Sequence, residues 1–170
     1  MKPPDNDGLT TVYLHPGELV ICREPMKVIT VLGSCVSVTL FSRKFGMSAI
    51  CHGTMPRCRA IKHCTELCID AFKFMDCAIR YMLGTFREAG VQNRDIEVKV
   101  FGGADTLMSK SSNTIGSQNI KVTLDILGRE GLGVVAADVG DNFGRKLIFI
   151  SAQGDVYLKR LNKANFLYRP

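Results

Sequence analysis

Five short apolar runs crowd the first 52 residues, each separated from the next by a turn signal. They cover residues 10–14, 18–23, 28–32, 36–41 and 47–52. His15-Pro16-Gly17, Gly33-Ser34 and Arg43-Lys44-Phe45-Gly46 are among the breaks. β-branched residues fill these runs, and such residues suit a pleated, half-buried surface. A chain that begins this way is committed to a sheet before any helix is available to cover it.

The period then changes. Over residues 65–89, Leu67, Ala71, Phe74, Met75, Ala78, Ile79, Met82, Leu83 and Phe86 recur at steps of three and four, with Gly90 after the last. That spacing predicts an amphipathic helix closed by a glycine. Residues 96–101 alternate as a strand and end at Gly102-Gly103. Residues 106–115 are polar and irregular, as in a surface loop. Residues 119–130 predict a second helix, with Ile120, Leu124 and Leu127 on one side and Gly131 beyond its end. A strand over 133–139 follows. Residues 146–152 and 156–161 then bracket Gln153-Gly154-Asp155 as a hairpin. The expected fold is a single layered α/β domain, with a mixed, largely antiparallel sheet and two principal helices. Residues 1–9 read as a disordered lead-in, 10–161 as the domain and 162–170 as an unpatterned tail.

Composition narrows the function classes. With 170 residues, 46% apolar and 22% charged, the chain can bury one substantial core. No apolar run reaches the ~18 residues of a membrane-spanning helix, and the first residues lack the apolar stretch of an export signal. A cytoplasmic protein with no membrane insertion is expected. The seven cysteines, an odd number without such a signal, argue against a disulfide framework and read mostly as small core side chains. A net charge of +6 is spread along the chain; Arg57, Arg59 and Lys62 form the densest cluster. No nucleic-acid signature accompanies it, so a solvated basic face is expected.

Two residues stand out chemically. Cys35 follows the Gly33-Ser34 break, which can present a thiol at a strand end, and His52 closes the next-but-one apolar run. If the runs around Arg43–Gly46 pair as a hairpin, those two ends meet. A thiol beside an imidazole can become a nucleophile. Gly33 and Ser34 would shape the site and offer backbone N–H groups to an oxyanion. Spacing alone is weak support, since seven cysteines and three histidines make many such pairs. Two other groupings fail on pattern. Cys58, His63, Cys64 and Cys68 miss the paired-cysteine spacing of zinc sites, and Gly102-Gly103-Ala104 lacks the lysine of a phosphate loop. Neither a metal nor an organic cofactor is expected.

Larger stretches carry a resemblance. Val31-Leu32-Gly33-Ser34-Cys35-Val36-Ser37-Val38-Thr39-Leu40 resembles the signature of the chemoreceptor glutamine deamidases, the CheD family. His52-Gly53-Thr54-Met55-Pro56, Val100-Phe101-Gly102-Gly103-Ala104, Ile115-Gly116-Ser117-Gln118-Asn119, Gly144-Arg145-Lys146 and the run from Gly154 to Arg160 follow in the family's order. The resemblance implies a protein-glutamine glutaminase that converts receptor glutamines to glutamates through a thioester on Cys35, with His52 as base and then acid. It implies methyl-accepting chemoreceptors as substrates, an open cleft, and a CheC-type phosphatase as a partner. It also implies a threonine that orients the histidine. Six residues before Cys35, where that threonine would stand, the chain has Ile29; Thr30 is five before. Thr30 is therefore expected to serve only if a bulge or register shift turns it inward. The Ile29 departure leaves an alternative, a binding-only chemotaxis regulator on the same fold. A thiol enzyme with another substrate, such as a transglutaminase-like enzyme or a cysteine protease, is a further rival.

Overall fold

The computed structural model describes residues 8–58, 70–105 and 113–161. Its strands are β1 (Thr10–Tyr13), β2 (Leu19–Cys22), β3 (Met26–Leu32), β4 (Val36–Ser42), β5 (Met47–Cys51), β6 (Glu97–Gly102), β7 (Val134–Val139), β8 (Gly144–Ile150) and β9 (Asp155–Leu161). Helix α1 (Met75–Glu88) lies between β5 and β6, and α2 (Ile115–Arg129) between β6 and β7. The fold class read from the sequence holds: one α/β domain with two principal helices.

The nine strands form two sheets, ordered β1-β3-β8-β9 and β2-β5-β4-β6-β7. Among the described strands, only β1–β3 and β6–β7 are parallel pairs. The chain moves between sheets at its turns. The break at His15-Pro16-Gly17 carries it from β1 in the first sheet to β2 in the second, and Gly33-Ser34 carries it from β3 to β4.

Three layers result. The helices place Ala78, Ile79, Met82, Phe86, Val122 and Ile126 on one face of the five-stranded sheet, against Val36, Val38, Leu40, Ala49, Val98 and Val100. The opposite face meets the four-stranded sheet through Ile50, Val28 and Phe149, and through Leu32, Phe101 and Leu147. Strand β4 is thus covered on both sides, and all seven of its residues are buried. Two of its polar residues, Ser37 and Thr39, lie on the inter-sheet side, away from the helices, by strand alternation.

Both helices differ in extent from the sequence reading, for visible reasons. The first was expected from residue 65; residues 59–69 lie outside those described, and the next stretch is a short 3₁₀ turn over Ala71–Lys73. Phe74 is extended and bridges to Met55, with the Met75 N–H donating to the Met55 carbonyl at 2.9 Å. This pairing holds the backbone out of helix until Met75. The second helix begins four residues before the expected Asn119. The Thr114 hydroxyl caps it by accepting from the Ser117 N–H at 3.2 Å. Most of the polar loop expected over 106–115 lies outside the described residues, as do the lead-in to residue 7 and the tail from 162.

Candidate active site

Cys35 and His52 belong to neighbouring strand ends of the five-stranded sheet. β4 and β5 pair antiparallel, and the ladder runs on past β5 to a bridge between Val36, the first residue of β4, and Gly53. Two hydrogen bonds close that rung, at 3.0 and 2.9 Å. One step further, the same register sets Ser37 opposite His52 and Cys35 opposite Thr54. Cys35 and His52 are therefore diagonal neighbours, a relation that separates Cα atoms by about 7–8 Å. Alternation sends both to the inter-sheet face, because Val36 and Cys51 pack against the helices.

Strand β3 of the other sheet touches each of these two residues from across the gap. Val28, Thr30 and Leu32 are its inward positions, at 0%, 3% and 0% exposure, while Val31 between them is 47% exposed. Thr30 Oγ1 lies 2.8 Å from His52 Nδ1. Leu32, two residues on, packs beside Cys35 with Phe101 and Leu147. The pairing of β3 with β8 runs in unbroken register from Lys27 to Leu32, so the bulge expected to turn Thr30 inward does not exist. Ile29 lies on the opposite face of β3, buried next to Tyr13 and Ile148 across the ladder. Counting back from Cys35 assumed a fixed turn length after β3.

The hydrogen bonds at Thr30 settle the imidazole tautomer. Thr30 also donates to the Leu14 carbonyl, at 2.8 Å. A hydroxyl carries one proton, and a carbonyl can only accept. Thr30 Oγ1 therefore accepts from His52 Nδ1–H, and the free lone pair lies on Nε2. Nε2 is buried and has no partner among the described residues. The His52 backbone is held as well: its N–H donates to Glu18 O at 2.9 Å, and its carbonyl accepts from Gly17 N–H at 2.8 Å.

Both titrating groups are pushed toward their neutral forms. Burial lowers the His52 pKa from its ordinary 6.5, opposed by the Leu14 backbone and the Glu18 charge. Burial raises the Cys35 thiol above its ordinary 9.0, offset in part by its own backbone N–H. Both shifts favour a thiol and a neutral imidazole over an ion pair. In such a pair the base takes the thiol proton as the sulfur attacks. Cys35 is half-buried, whereas His52 is 2% exposed. A cavity of about 270 Å³ reaches His52 and Thr30 between Tyr13, Val31 and Lys146. Cys35 is not among its walls.

The turn bearing Cys35 is fixed through its carbonyls. Gly33 O accepts from Ala104 N–H at 2.8 Å, Ser34 O from Asn119 Nδ2 at 3.0 Å, and Cys35 O from Gly103 N–H at 2.7 Å. Gly102 and Gly103 adopt positive φ of 105° and 70° to make this approach. A Cβ on Gly102 would lie 2.2 Å from Cys35 O. The Gly102-Gly103-Ala104 motif is thus a backbone bend against the cysteine turn. Among the described residues, no acceptor takes the N–H of Ser34.

Sequence reasoning assigned no role to Asn119. Its signal was an amide on the buried stripe of α2, with Gly116, Val122 and Ile126, where an apolar side chain is the norm. Of the metal grouping weighed earlier, Cys58 is buried, and His63, Cys64 and Cys68 lie outside the described residues.

A half-buried thiol thus stands one diagonal strand position from a buried, oriented imidazole. Comparison with known proteins narrows the kinship. The family profile described as CheD chemotactic sensory transduction matches residues 63–160, more than half of the chain and C-terminal to Cys35 and His52. A protein of Maridesulfovibrio salexigens named "Probable chemoreceptor glutamine deamidase CheD" is 37% identical over 169 residues, covering 96% of this chain and 99% of that protein. A "Probable chemoreceptor glutamine deamidase CheD 2" of Geobacter sulfurreducens is 43% identical over 156 residues, 91% of this chain and 92% of that one. A "Probable chemoreceptor glutamine deamidase CheD 1" of Methanosarcina acetivorans is 34% identical over 153 residues, 88% and 92% respectively. The chain belongs to the CheD family.

Proposed function

We propose that this protein is a cytoplasmic protein-glutamine deamidase that converts glutamines of methyl-accepting chemoreceptors to glutamates. The observation that carries the reading is the Leu14–Thr30–His52 hydrogen-bond chain. It leaves Nε2 unprotonated on the face that Cys35 shares. Family membership supplies the substrate class, and the names of relatives support the amide chemistry. Among the described residues, no helix is long and apolar enough to cross a membrane.

The steps follow from the groups present. His52 Nε2 takes the Cys35 proton while the sulfur attacks the side-chain carboxamide carbon. The oxyanion that forms is held by backbone N–H groups of the Gly33-Ser34-Cys35 turn, Ser34 foremost. The imidazolium then returns its proton to the departing nitrogen. The C–N bond breaks, ammonia leaves, and a thioester remains on Cys35. Water, deprotonated by His52, cleaves the thioester to a carboxylate and restores the thiol. Only thiol, imidazole and water take part. The product carries a new negative charge and a site open to methylation. A CheC-type phosphatase is the partner that this reading carries with it.

The binding-only alternative drew its support from Ile29. The Thr30 hydrogen bond supplies the orienting group that Ile29 lacks, which removes that support. Incubating the protein with a receptor cytoplasmic fragment and mapping its peptides by mass tests the reading. Glutamine-to-glutamate conversion is expected with the wild-type protein and not with Cys35→Ala. Binding without conversion would favour the regulator. Peptide cleavage or amine incorporation would favour a different thiol enzyme.

A further inference from the structure

We propose that Asn119 is the positioning residue of the Cys35–His52 pair. Its side-chain amide fixes the separation of the two strand ends that bear them. The proposal rests on the reading of that pair as the reactive centre.

Asn119 lies just past the first turn of α2 and is fully buried. Its Nδ2 donates to two backbone carbonyls, Ser34 O at 3.0 Å and Thr54 O at 3.1 Å. Ser34 immediately precedes Cys35, and Thr54 is two residues beyond His52. Both lie just outside the last rung of the β4–β5 ladder, between Val36 and Gly53. Past that rung the strands part. Thr54 N–H turns away to Lys73 O at 2.8 Å, and the Ser34 turn leads back to β3 in the other sheet. Two carbonyls facing each other cannot bond, because each only accepts. A primary amide carries two donors on one nitrogen and can join them without burying a charge. Asn119 thus acts as one more rung, supplied from a helix, at the point where the backbone ladder ends.

The cost of that rung shows that its placement is specific. Both contacts are acceptors, so the amide orientation is unambiguous. That orientation leaves Oδ1 buried without a partner among the described residues. Asparagine is also a poor helix former, and an apolar residue would pack better on this stripe. Glycines clear the way for it. A Cβ on Gly116 would meet Gly103 O at 2.5 Å, and one on Gly103 would meet Ile120 Cδ1 at 2.5 Å. The first turn of α2 therefore rests directly on the bend whose N–H groups hold the Gly33 and Cys35 carbonyls. Losing the amide frees Ser34 O and Thr54 O to separate. The spacing of the strand ends that bear Cys35 and His52 is then no longer fixed, although both side chains are still present.

The test is the pH dependence of Cys35 alkylation by iodoacetamide, read by peptide mass so that other cysteines do not interfere. Wild-type protein is expected to show a limb at mildly acidic to neutral pH that His52→Ala abolishes. Asn119→Ala should lose the same limb, with an alkylation rate near neutrality lower by about 10- to 100-fold, the scale of a misplaced reacting group. Val122→Ala, a buried neighbour on the same helix, should loosen packing equally and keep the limb. If Asn119→Ala does not fold, Asn119→Ser, whose hydroxyl can serve only one carbonyl, should fold and weaken the limb. Asn119 variants that fold and keep a wild-type limb would overturn the proposal and leave the paired reading standing. A wild-type profile indifferent to His52→Ala would overturn both.

Discussion

Thr30 has one hydroxyl proton and two partners. Because Leu14 O takes that proton, His52 must give its own, and the direction of catalysis at Nε2 follows. Thr30→Val keeps shape and burial but removes this logic. It takes away the hydroxyl that both the Leu14 carbonyl and the His52 Nδ1–H engage, and we expect a stability loss of about 1–3 kcal/mol by denaturant titration. Turnover should fall by roughly 10- to 100-fold, because the imidazole can then rest in the wrong tautomer. Wild-type turnover in that variant would mean that the hydrogen bond does not serve the base.

His52 also sets a pH dependence of folding. Its folded pKa lies below 6.5. As pH falls through that value, the unfolded chain takes up a proton that the folded chain refuses, so stability declines. The decline ends once pH passes below the folded pKa. Its slope can reach about 1.4 kcal/mol per pH unit. His52→Asn should flatten this limb in melts taken across the window; an unchanged limb would place the titration elsewhere. At this scale the sequence was informative about identities more than orientations. Cys35 stood out by its Gly-Ser turn and His52 by hairpin spacing. The face on which Thr30 lies depends on how many residues the turn consumes, and no local pattern states that number.

Elements fix these side chains by close approach. The end of β6, Gly102-Gly103, touches the Cys35 turn on one side and α2 on the other. Gly102→Ala would drive a Cβ into Cys35 O at 2.2 Å and strain a φ of 105°. Backbone cannot yield as a flexible side chain can. We expect a loss of about 2–4 kcal/mol, from overpacking and the positive φ together, and loss of turnover in whatever folds. A variant with wild-type stability would contradict the approach described. Strand and helix types were legible here because period and turn residues are local. The start of α1 was not, since the Phe74–Met55 bridge that delays it joins residues far apart in the chain.

Across the whole molecule, Cys35 and His52 face the seam between two sheets, and the seam is tied by charge. Asp138 on β7 belongs to one sheet; Arg145 on β8 and Arg160 on β9 belong to the other. Arg145 is fully buried, and its Nε lies 2.6 Å from Asp138 Oδ1. Burial acts to raise the Asp138 carboxyl, yet the two arginines outweigh it and hold it below its ordinary 3.8. Asp138→Ala would leave the buried guanidinium without its counter-ion and should cost about 3–5 kcal/mol in a denaturant titration. Little or no loss would mean that the Gly140 and Phe143 carbonyls alone satisfy Arg145. The division of nine strands between two sheets was not legible in the sequence. Alternation marks a strand's faces but not its partners, and β4, buried on both sides, hides even its alternation.

The direct measurement is rapid-quench turnover on a receptor fragment, following ammonia and the mass on Cys35 together. We expect a burst of ammonia equal to the enzyme present, matched by an acyl adduct on Cys35 and followed by slower glutamate formation. Ammonia that appears only in step with glutamate, with Cys35 unmodified and Cys35→Ala equally active, would contradict the account.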